Sequence, residues 1–170
     1  MAEALGDLTV VALGSNLAGA YASSEVLLEA GMARIAASGV DILARSSWWR
    51  SKAWPDASEP AYVNGVALVR WGGPPTELLA LLKTIERAFG RRLGGSPNAS
   101  RTLDLDLIAC GRMVTTQDGL VLPHPRAAER RFVMGPLAEI APAWRHPVSG
   151  ITARELADHA RVGRDAEPIR

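Results

Sequence analysis

Apolar and acidic residues alternate along one short segment, and this alternation constrains the fold more than any other feature of the chain. Leu103, Leu105 and Leu107 alternate with Asp104 and Asp106. Because successive side chains of a β-strand point to opposite faces, the leucines are predicted to enter a core, while the two carboxylates share the other face with their Cα atoms roughly 7 Å apart. The segment therefore predicts a half-buried strand that carries a pair of like charges.

The paired carboxylates of this strand need an explanation, because aspartate is a poor strand former and like charges on one face repel each other. One interpretation is a solvated strand face whose polar positions happen to be aspartates. The other is a divalent cation that offsets the repulsion, since Mg²⁺ prefers oxygen ligands and usually takes one or two carboxylates together with substrate phosphates. We favour the second interpretation, which points to phosphate chemistry at Asp104 and Asp106.

Length and composition are those of an ordinary globular chain. The 170 residues are 48% hydrophobic and 22% charged, which predicts a single domain over residues 1–170. The formal net charge of +1 is too balanced for a dedicated nucleic-acid surface. The first residues lack the basic and apolar regions of a signal peptide, and no apolar stretch is long enough to span a bilayer, so we expect a cytoplasmic protein. One cysteine and three histidines provide no zinc-binding spacing.

The order of predicted elements indicates the fold class. Hydrophobic periodicity, capping residues and turn residues predict a strand, a helix, two strands, a second helix and the aspartate strand, over 8–13, 23–39, 40–50, 61–70, 74–90 and 103–108. This β-α-β-β-α-β order predicts an α+β, ferredoxin-like antiparallel sheet with both helices on one face. The opposite face is then open for a ligand.

A C-terminal extension is predicted to enlarge this domain. Residues 120–122 are consistent with a short strand, and 133–140 with a short helix despite Pro136. The sequence from Thr152 to Glu155 is a capping box that begins a last helix.

Two arginines lie close to the aspartate strand in the sequence. Arg101 precedes it directly, and Arg91 lies ten residues further upstream. Guanidinium groups bind phosphate through pairs of parallel hydrogen bonds, so the two arginines are candidate ligands for the same anionic group. Solvated loop arginines remain the alternative for either one alone.

Several aromatic, amide and imidazole side chains are further candidates. Tyr62 and Asn64 share one face of a predicted strand and suit stacking on, and hydrogen bonding to, a flat heterocycle, although a mixed polar strand face explains the pattern equally well. Trp48 and Trp49 are predicted on opposite faces, one in the core and the other facing a ligand or solvent. His124, between two prolines, either presents an imidazole beside a nucleotide or fills a loop.

Seven blocks of the sequence together resemble a known family. They are Gly14-Ser15-Asn16-Leu17, Tyr62-Val63-Asn64, Ile85-Glu86 with Gly90-Arg91, Arg101-Thr102-Leu103-Asp104-Leu105-Asp106-Leu107, Pro123-His124-Pro125-Arg126, Glu129-Arg130-Arg131-Phe132 and Pro136-Leu137-Ala138-Glu139-Ile140-Ala141-Pro142. Their order and approximate spacing are similar to those of the 6-hydroxymethyl-7,8-dihydropterin pyrophosphokinases of folate biosynthesis, and the resemblance covers roughly residues 8 to 145.

The resemblance implies a fold and a reaction. It implies the ferredoxin-like fold, a monomer, and transfer of diphosphate from ATP to the hydroxymethyl group of 6-hydroxymethyl-7,8-dihydropterin with release of AMP. It makes Asp104 and Asp106 the ligands of two Mg²⁺ ions that bridge the triphosphate. Arg91 and Arg101 then resemble the family's clamps on the α- and β-phosphates. These four residues are the implied catalytic set.

The same resemblance assigns the remaining site residues. Arg130 is implied as a further phosphate contact, with Glu86 and His124 near the nucleotide. The implied pterin contacts are two aromatic walls, an amide that reads the edge of the ring and two loop residues: Tyr62, Phe132, Asn64, Ser51 and Trp54.

Two rival functions stay open from the sequence. RNA-recognition domains share the β-α-β-β-α-β order, but two aspartates on the exposed face would repel a nucleic-acid backbone. A metal-dependent phosphohydrolase or nucleotidyltransferase would use the same aspartate pair and differ in its nucleotide product.

Overall fold

The computed structural model describes residues 7–53, 55–90 and 102–170. The first part of the chain forms β1 (Thr9–Ser15), α1 (Ser24–Ala37), β2 (Asp41–Arg45), β3 (Trp49–Ser51), β4 (Tyr62–Arg70), α2 (Pro75–Ala88) and β5 (Asp104–Cys110). The remainder forms a 3₁₀ turn (Ala127–Glu129), α3 (Arg131–Ile140), α4 (Ala153–His159) and β6 (Glu167–Pro168).

The strands form one antiparallel sheet of six strands. Its order is β5-β1-β4-β3-β6, with β2 pairing beside β3 along the same edge of β4. If β2 and β3 are counted as one interrupted strand, this is the β-α-β-β-α-β arrangement of a ferredoxin-like sheet. The predicted α+β fold is confirmed, and β5 with its aspartates lies at one edge.

The predicted strand 40–50 is wrong in one respect, because it is broken at 46–48. Ser46 N donates to Val66 O at 2.9 Å, but the Ser46 hydroxyl turns inward, where Oγ accepts from Val66 N at 2.9 Å. This second contact uses the β4 amide that a continuous strand would need. The chain therefore leaves the ladder and re-enters it at Trp49.

One face of the sheet packs against α1 and α2, as predicted. Leu13, Leu105 and Leu107 of the sheet join Leu28 of α1 and Leu82 of α2 in a core in which none is more than 5% exposed. The α1 helix begins after Ser23, whose side chain accepts from Val26 N at 3.2 Å as an N-cap does. The leucines of the aspartate strand thus enter the core that their spacing predicts.

The opposite face is not open along its whole length, which corrects the sequence-based prediction. The helices α3 and α4 cover part of it and form a second core with Val10, Val66 and Ile108 of the sheet. Trp144, which is 1% exposed, is the largest side chain in this core. Among the described residues, these helices leave uncovered the end of the face that carries the aspartates and the start of β4, so the extension confines a ligand to that end.

Two C-terminal predictions have different outcomes. Thr152 Oγ1 accepts from Glu155 N at 3.2 Å, so the capping box does begin α4. The strand at 120–122 is reduced to a bridge between Thr115 and Leu122, whose two hydrogen bonds are both 2.9 Å. Within the described ranges, no helix is both long and apolar enough to cross a membrane.

Candidate active site

The aspartate pair faces the uncovered end of the sheet. In the ladder between β5 and β1, Asp104 lies opposite Gly14, and Asp106 lies opposite Ala12. Gly14 in turn lies opposite Asn64 of β4. Residues directly opposite each other share a face, so the carboxylate of Asp104 and the carboxamide of Asn64 lie on one surface. Two strand spacings put their Cα atoms about 10 Å apart.

This surface lines a cavity of about 760 Å³. On the β5 side it is lined by the aspartates and by charged and imidazole side chains from the following loop and turn: Asp104, Asp106, His124, Arg126, Glu129 and Arg130. On the other side it is lined by Ser51 and Lys52 at the end of β3, Tyr62 and Asn64 of β4, and Phe132 of α3, which provide mainly aromatic, amide and hydroxyl groups. The cavity therefore joins a charged half to a half suited to a flat polar ring.

Most of the predicted site residues meet in this cavity. Eight of the described ones line it: Ser51, Tyr62, Asn64, Asp104, Asp106, His124, Arg130 and Phe132. Trp54, Arg91 and Arg101 lie outside the described residues, and their predicted roles stay predictions. Glu86 does not line the cavity.

The aspartate pair has the electrostatics of a cation site. Burial and, to a smaller extent, the neighbouring charge of Asp104 raise the pKa of Asp106 to about 6, although the cations of Lys83 and Arg130 act in the opposite direction. A bound divalent cation would remove this penalty on the charged form.

The donor set indicates which metal fits. Among the described residues no group of three or more His, Cys, Asp and Glu side chains is placed to hold an ion. Two carboxylate side chains beside space for further oxygen ligands suit Mg²⁺, which keeps waters and substrate phosphates in its shell, and do not suit zinc. Asp104 and Asp106 thus fit Mg²⁺ bound together with a phosphorylated ligand.

His124 is held neutral in one tautomer. Its Nδ1 accepts from Arg126 N at 3.2 Å, and its own backbone amide donates to Ile108 O at 2.8 Å. Burial and, to a smaller extent, the charge of Arg130 lower the pKa of the imidazole to about 4. A neutral ring whose Nδ1 is an acceptor carries its proton on Nε2. The residue therefore offers the cavity a hydrogen-bond donor at neutral pH.

Arg130 is a candidate phosphate ligand in the cavity wall. The side chain lines the cavity and is half-buried. Burial lowers the pKa of its guanidinium, whereas the carboxylates of Asp106 and Asp104 raise it. Its Cζ lies 5.7 Å from the centroid of the Phe132 ring, so the cation and the aromatic wall are in contact distance of each other. Arg130 thus lies where the charged and aromatic halves of the cavity meet.

Asn64 carries an unused hydrogen-bond donor into the cavity wall. The residue is 8% exposed, and its Nδ2 is buried with no hydrogen-bond partner among the described residues. A buried amide donor without a partner is costly in a folded protein unless a ligand or water satisfies it. Its position beside Tyr62 supports recognition of a polar ring edge.

Gly14 leaves room for the Asn64 side chain. A Cβ placed at Gly14 would lie 2.6 Å from Asn64 Oδ1, which is closer than real Cβ contacts allow. The neighbouring Asn16 Nδ2 donates to Pro60 O at 3.1 Å and ties the end of β1 to the loop before Tyr62. The strand predicted over 8–13 in fact continues to Ser15, and the Gly-Ser-Asn segment shapes the cavity through its neighbours.

Trp48 and Trp49 lie on opposite faces, as alternation predicts, but neither lines the main cavity. Trp48 packs against the core of α1 and α2 and donates from Nε1 to Glu29 at 2.9 Å. Trp49 is 7% exposed and donates from Nε1 to Glu139 of α3 at 2.8 Å. The extension therefore covers the face on which Trp49 was a candidate for ligand contact.

Glu86 supports the aspartate strand from the helix side. Its side chain is completely buried in α2, and its Oε2 accepts from Leu105 N, between the two aspartates, at 2.8 Å. Lys83 Nζ lies 3.2 Å from the other carboxylate oxygen. Because β5 is an edge strand, this amide has no ladder partner, and the carboxylate takes that place.

We expect Glu86→Ala to lower the free energy of unfolding by about 2–4 kcal/mol, because the Leu105 amide would stay buried without an acceptor and Lys83 would lose its partner. Urea denaturation measures the change. Glu86→Gln is the matched control, since it keeps an oxygen acceptor and should lose clearly less. Equal losses for both variants would show that the carboxylate charge, and not the contact with the strand, matters.

Sequence reasoning missed several residues of the cavity wall. Arg126 and Glu129 come from the turn before α3, and Val162 and Gly163 come from the segment after α4. The Pro-His-Pro-Arg and Glu-Arg-Arg-Phe blocks were signals for the first pair. Nothing in the local pattern around Val162 marks the second pair, because only the packing of the extension brings them to the cavity.

The α+β fold carries one cavity with an acidic pair at one end and an aromatic and amide pocket at the other. This arrangement is that of a class of enzymes that bind a phosphorylated ligand beside a flat ring. Comparison with known proteins identifies the family. Residues 10–142 match the model of the 7,8-dihydro-6-hydroxymethylpterin-pyrophosphokinase (HPPK) family. The chain belongs to this family.

Individual relatives agree with the family match. The chain is 41% identical over 151 residues to the 2-amino-4-hydroxy-6-hydroxymethyldihydropteridine pyrophosphokinase of Synechocystis sp., covering 88% of this chain and 74% of that protein. It is 35% identical over 158 residues to the Haemophilus influenzae enzyme of the same name, covering 89% and 94%.

Solved structures share the fold. A triple mutant of Plasmodium falciparum HPPK-DHPS with pteroate has a TM-score of 0.69 and 12% identity, covering 95% of this chain and 46% of that one. An HPPK-DHPS in complex with substrates has a TM-score of 0.67 and 11% identity, covering 89% and 43%. The chain thus spans less than half the length of these solved chains.

Proposed function

We propose that the chain transfers diphosphate from ATP to the hydroxymethyl group of 6-hydroxymethyl-7,8-dihydropterin and releases AMP, as a step of folate biosynthesis. The observation that carries the proposal is one cavity in which the aspartate pair shares a face of the sheet with Asn64, whose buried Nδ2 has no hydrogen-bond partner among the described residues. Family membership supports the same reaction.

The charged half of the cavity is the proposed seat of the triphosphate. Asp104 and Asp106 would hold two Mg²⁺ ions, which when bound screen the phosphate charge and hold the triphosphate in line with the acceptor. Arg130 contributes a guanidinium, and His124 contributes its Nε2 proton as a donor. We assign Arg91 and Arg101 the clamping of the α- and β-phosphates, and Glu86 a place near the nucleotide, on the family resemblance alone.

The other half is the proposed seat of the pterin. Tyr62 and Phe132 are the proposed walls that sandwich the ring, and the Asn64 amide reads its edge. Ser51, buried at the end of β3, lines the same half. On the family resemblance, Trp54 is assigned a further contact with the pterin.

The reaction consists of in-line attack by the hydroxymethyl oxygen on the β-phosphorus of ATP, with AMP as the leaving group. Positioning and charge stabilisation account for much of the acceleration in such transfers. His124 is not assigned as a general base, because its Nδ1 already accepts from Arg126 and its Nε2 carries the proton. Asp104 and Asp106 are assigned to the metal.

We further propose that residues 1–170 form one catalytic domain that acts as a monomer in the cytoplasm with small-molecule substrates only. The rival RNA-recognition function has no support from the family match, and the acidic pair on the cavity face opposes it.

The nucleotide product tests the proposal. We expect incubation with ATP, Mg²⁺ and 6-hydroxymethyl-7,8-dihydropterin to yield AMP and the pterin diphosphate, with no AMP when the pterin or Mg²⁺ is omitted. Ion-exchange chromatography measures the nucleotides formed in the complete mixture and in the mixtures without pterin or Mg²⁺. ADP as the main product, or AMP formed without pterin, would contradict the proposal and favour a phosphohydrolase or nucleotidyltransferase.

A further inference from the structure

The segment between α4 and β6, residues 160–166, runs along the rim of the cavity and is hydrogen-bonded to the turn that precedes α3. Arg161 N and Val162 N both donate to Glu129 O, at 3.0 and 2.9 Å. Arg131 N donates back to Val162 O at 2.9 Å. These bonds are made by the residues just before Phe132, and they hold Val162 and Gly163 in the cavity wall. The segment is therefore part of the proposed pterin pocket.

The same segment also reaches the opposite wall of that pocket. Asp165 Oδ2 accepts from the backbone amide of Lys52 at 2.7 Å, and Lys52 directly follows Ser51, which lines the cavity. Two residues later the chain forms β6, whose Glu167 pairs with Arg50 of β3. The segment thus bridges the element that carries Phe132 and the end of the strand that carries Ser51.

Gly163 holds the aromatic wall directly. A Cβ at this position would lie 2.5 Å from Phe132 Cδ1 and 3.1 Å from Cε1. The backbone there has a φ of +67°, a conformation in the left-handed region that favours glycine. The ring of Phe132 therefore packs against backbone that has no side chain, and its position depends on that of the segment.

Arg131 holds the C-terminal end of the segment in place. Arg131 Nε donates to Ala166 O at 3.1 Å, and one of its terminal nitrogens donates to Ala157 O of α4 at 3.0 Å. Ala166 is 2% exposed. The segment is thus held at both ends by hydrogen bonds and by a buried side chain, although Asp165 itself is exposed.

We propose that Asp165 and Gly163 are positioning residues for the pterin: they set the separation between the Ser51 end of β3 and the ring of Phe132 before the substrate arrives. This inference rests on the proposed function. A pocket whose walls are already in place loses less free energy to ordering when it binds a rigid ring. Neither residue lies within the family match, which ends at residue 142.

Calorimetry on the full chain tests the proposal with two probes, 6-hydroxymethylpterin and a non-hydrolysable ATP analogue with Mg²⁺. We expect Asp165→Ala to weaken pterin binding about three- to tenfold, which is the loss of one hydrogen bond, and to leave nucleotide binding within about twofold. The KM for pterin should rise by the same factor while kcat stays close to that of the unmodified chain.

Two further variants separate positioning from other effects. Asp165→Asn keeps a side-chain oxygen that can accept from Lys52 N and should restore pterin binding. Asp158→Ala removes an equally exposed carboxylate from α4 and should change neither affinity. Gly163→Ala should weaken pterin binding at least as much as Asp165→Ala, because the new Cβ displaces the ring of Phe132.

The outcomes distinguish this inference from the proposed function. If the unmodified chain does not bind the pterin, the proposed function fails. If it does bind, and either Asp165→Ala leaves pterin affinity unchanged or it lowers both affinities equally, the inference alone is overturned. Failure of Asp165→Asn to restore binding would likewise overturn it, because the contact would then not depend on a hydrogen-bond acceptor.

Discussion

Replacing Asp106 with asparagine is expected to abolish turnover and at the same time to stabilise the metal-free protein. Turnover should fall by on the order of 10³-fold, because a charge that would hold the metal and the triphosphate is lost. Stability should rise because burial and the charge of Asp104 raise the pKa of Asp106 to about 6 from an ordinary value of 3.8.

The sign of the stability effect follows from proton binding. The folded state holds this proton more tightly than the unfolded state, so the contribution of Asp106 to stability is fully present below about pH 4 and is lost as the pH rises through 6. Asparagine cannot ionise and avoids the loss. We therefore expect Asp106→Asn to be more stable than the unmodified chain by about 1–3 kcal/mol at pH 8 and close to it at pH 4.

Denaturant unfolding in the presence of a chelator measures this difference at both pH values. Asp158→Asn, at an exposed position of α4, is the matched control and should change neither turnover nor the pH dependence. Near-normal turnover of Asp106→Asn at saturating Mg²⁺ would mean that the pair is only a polar strand face.

The second large effect is expected at Gly14. Replacing it with alanine places a Cβ 2.6 Å from Asn64 Oδ1, so the carboxamide must leave its position in the cavity wall. We expect Gly14→Ala and Asn64→Ala each to weaken pterin binding by about 10²-fold, since either change removes the carboxamide that is proposed to read the edge of the ring, while nucleotide affinity stays within about threefold.

A double-mutant cycle isolates the cause of the Gly14 effect. If the Cβ acts only by displacing Asn64, then Gly14→Ala should add no further loss in an Asn64→Ala background. Gly72→Ala serves as the control, because a Cβ there meets nothing within 4 Å. Additive losses in the double variant would mean that residue 14 acts on the pterin by some route other than the amide.

The alternation of leucine and aspartate was enough to predict which face of β5 enters the core and which carries the charged pair. The order of helices and strands then predicted the sheet. In both cases the relevant interactions are local in sequence or follow from general rules of connection. The roles of Tyr62, Phe132 and Asn64 needed the family resemblance, because spacing alone left a mixed polar face equally open.

What could not be predicted depends on contacts between distant segments. The break before Trp49 results from the hydroxyl of Ser46 taking the amide of Val66, twenty residues away. The cover over part of the second face results from the packing of α3 and α4, whose apolar residues do not indicate which surface they bury against. Glu86 was expected near the nucleotide, and only the structure shows that its carboxylate reaches the amide of Leu105.

The position of β6 has a practical consequence for experiments on this protein. Since Glu167 pairs with Arg50 at the sheet edge and Asp165 contacts Lys52, a purification tag or fusion linker attached after Arg170 would begin a few residues from the pterin pocket. Thr9, where β1 begins, lies roughly 17 Å along the strand from Gly14 and does not line the cavity. A tag attached after Arg170 that lowers pterin affinity would therefore itself report on the segment between α4 and β6.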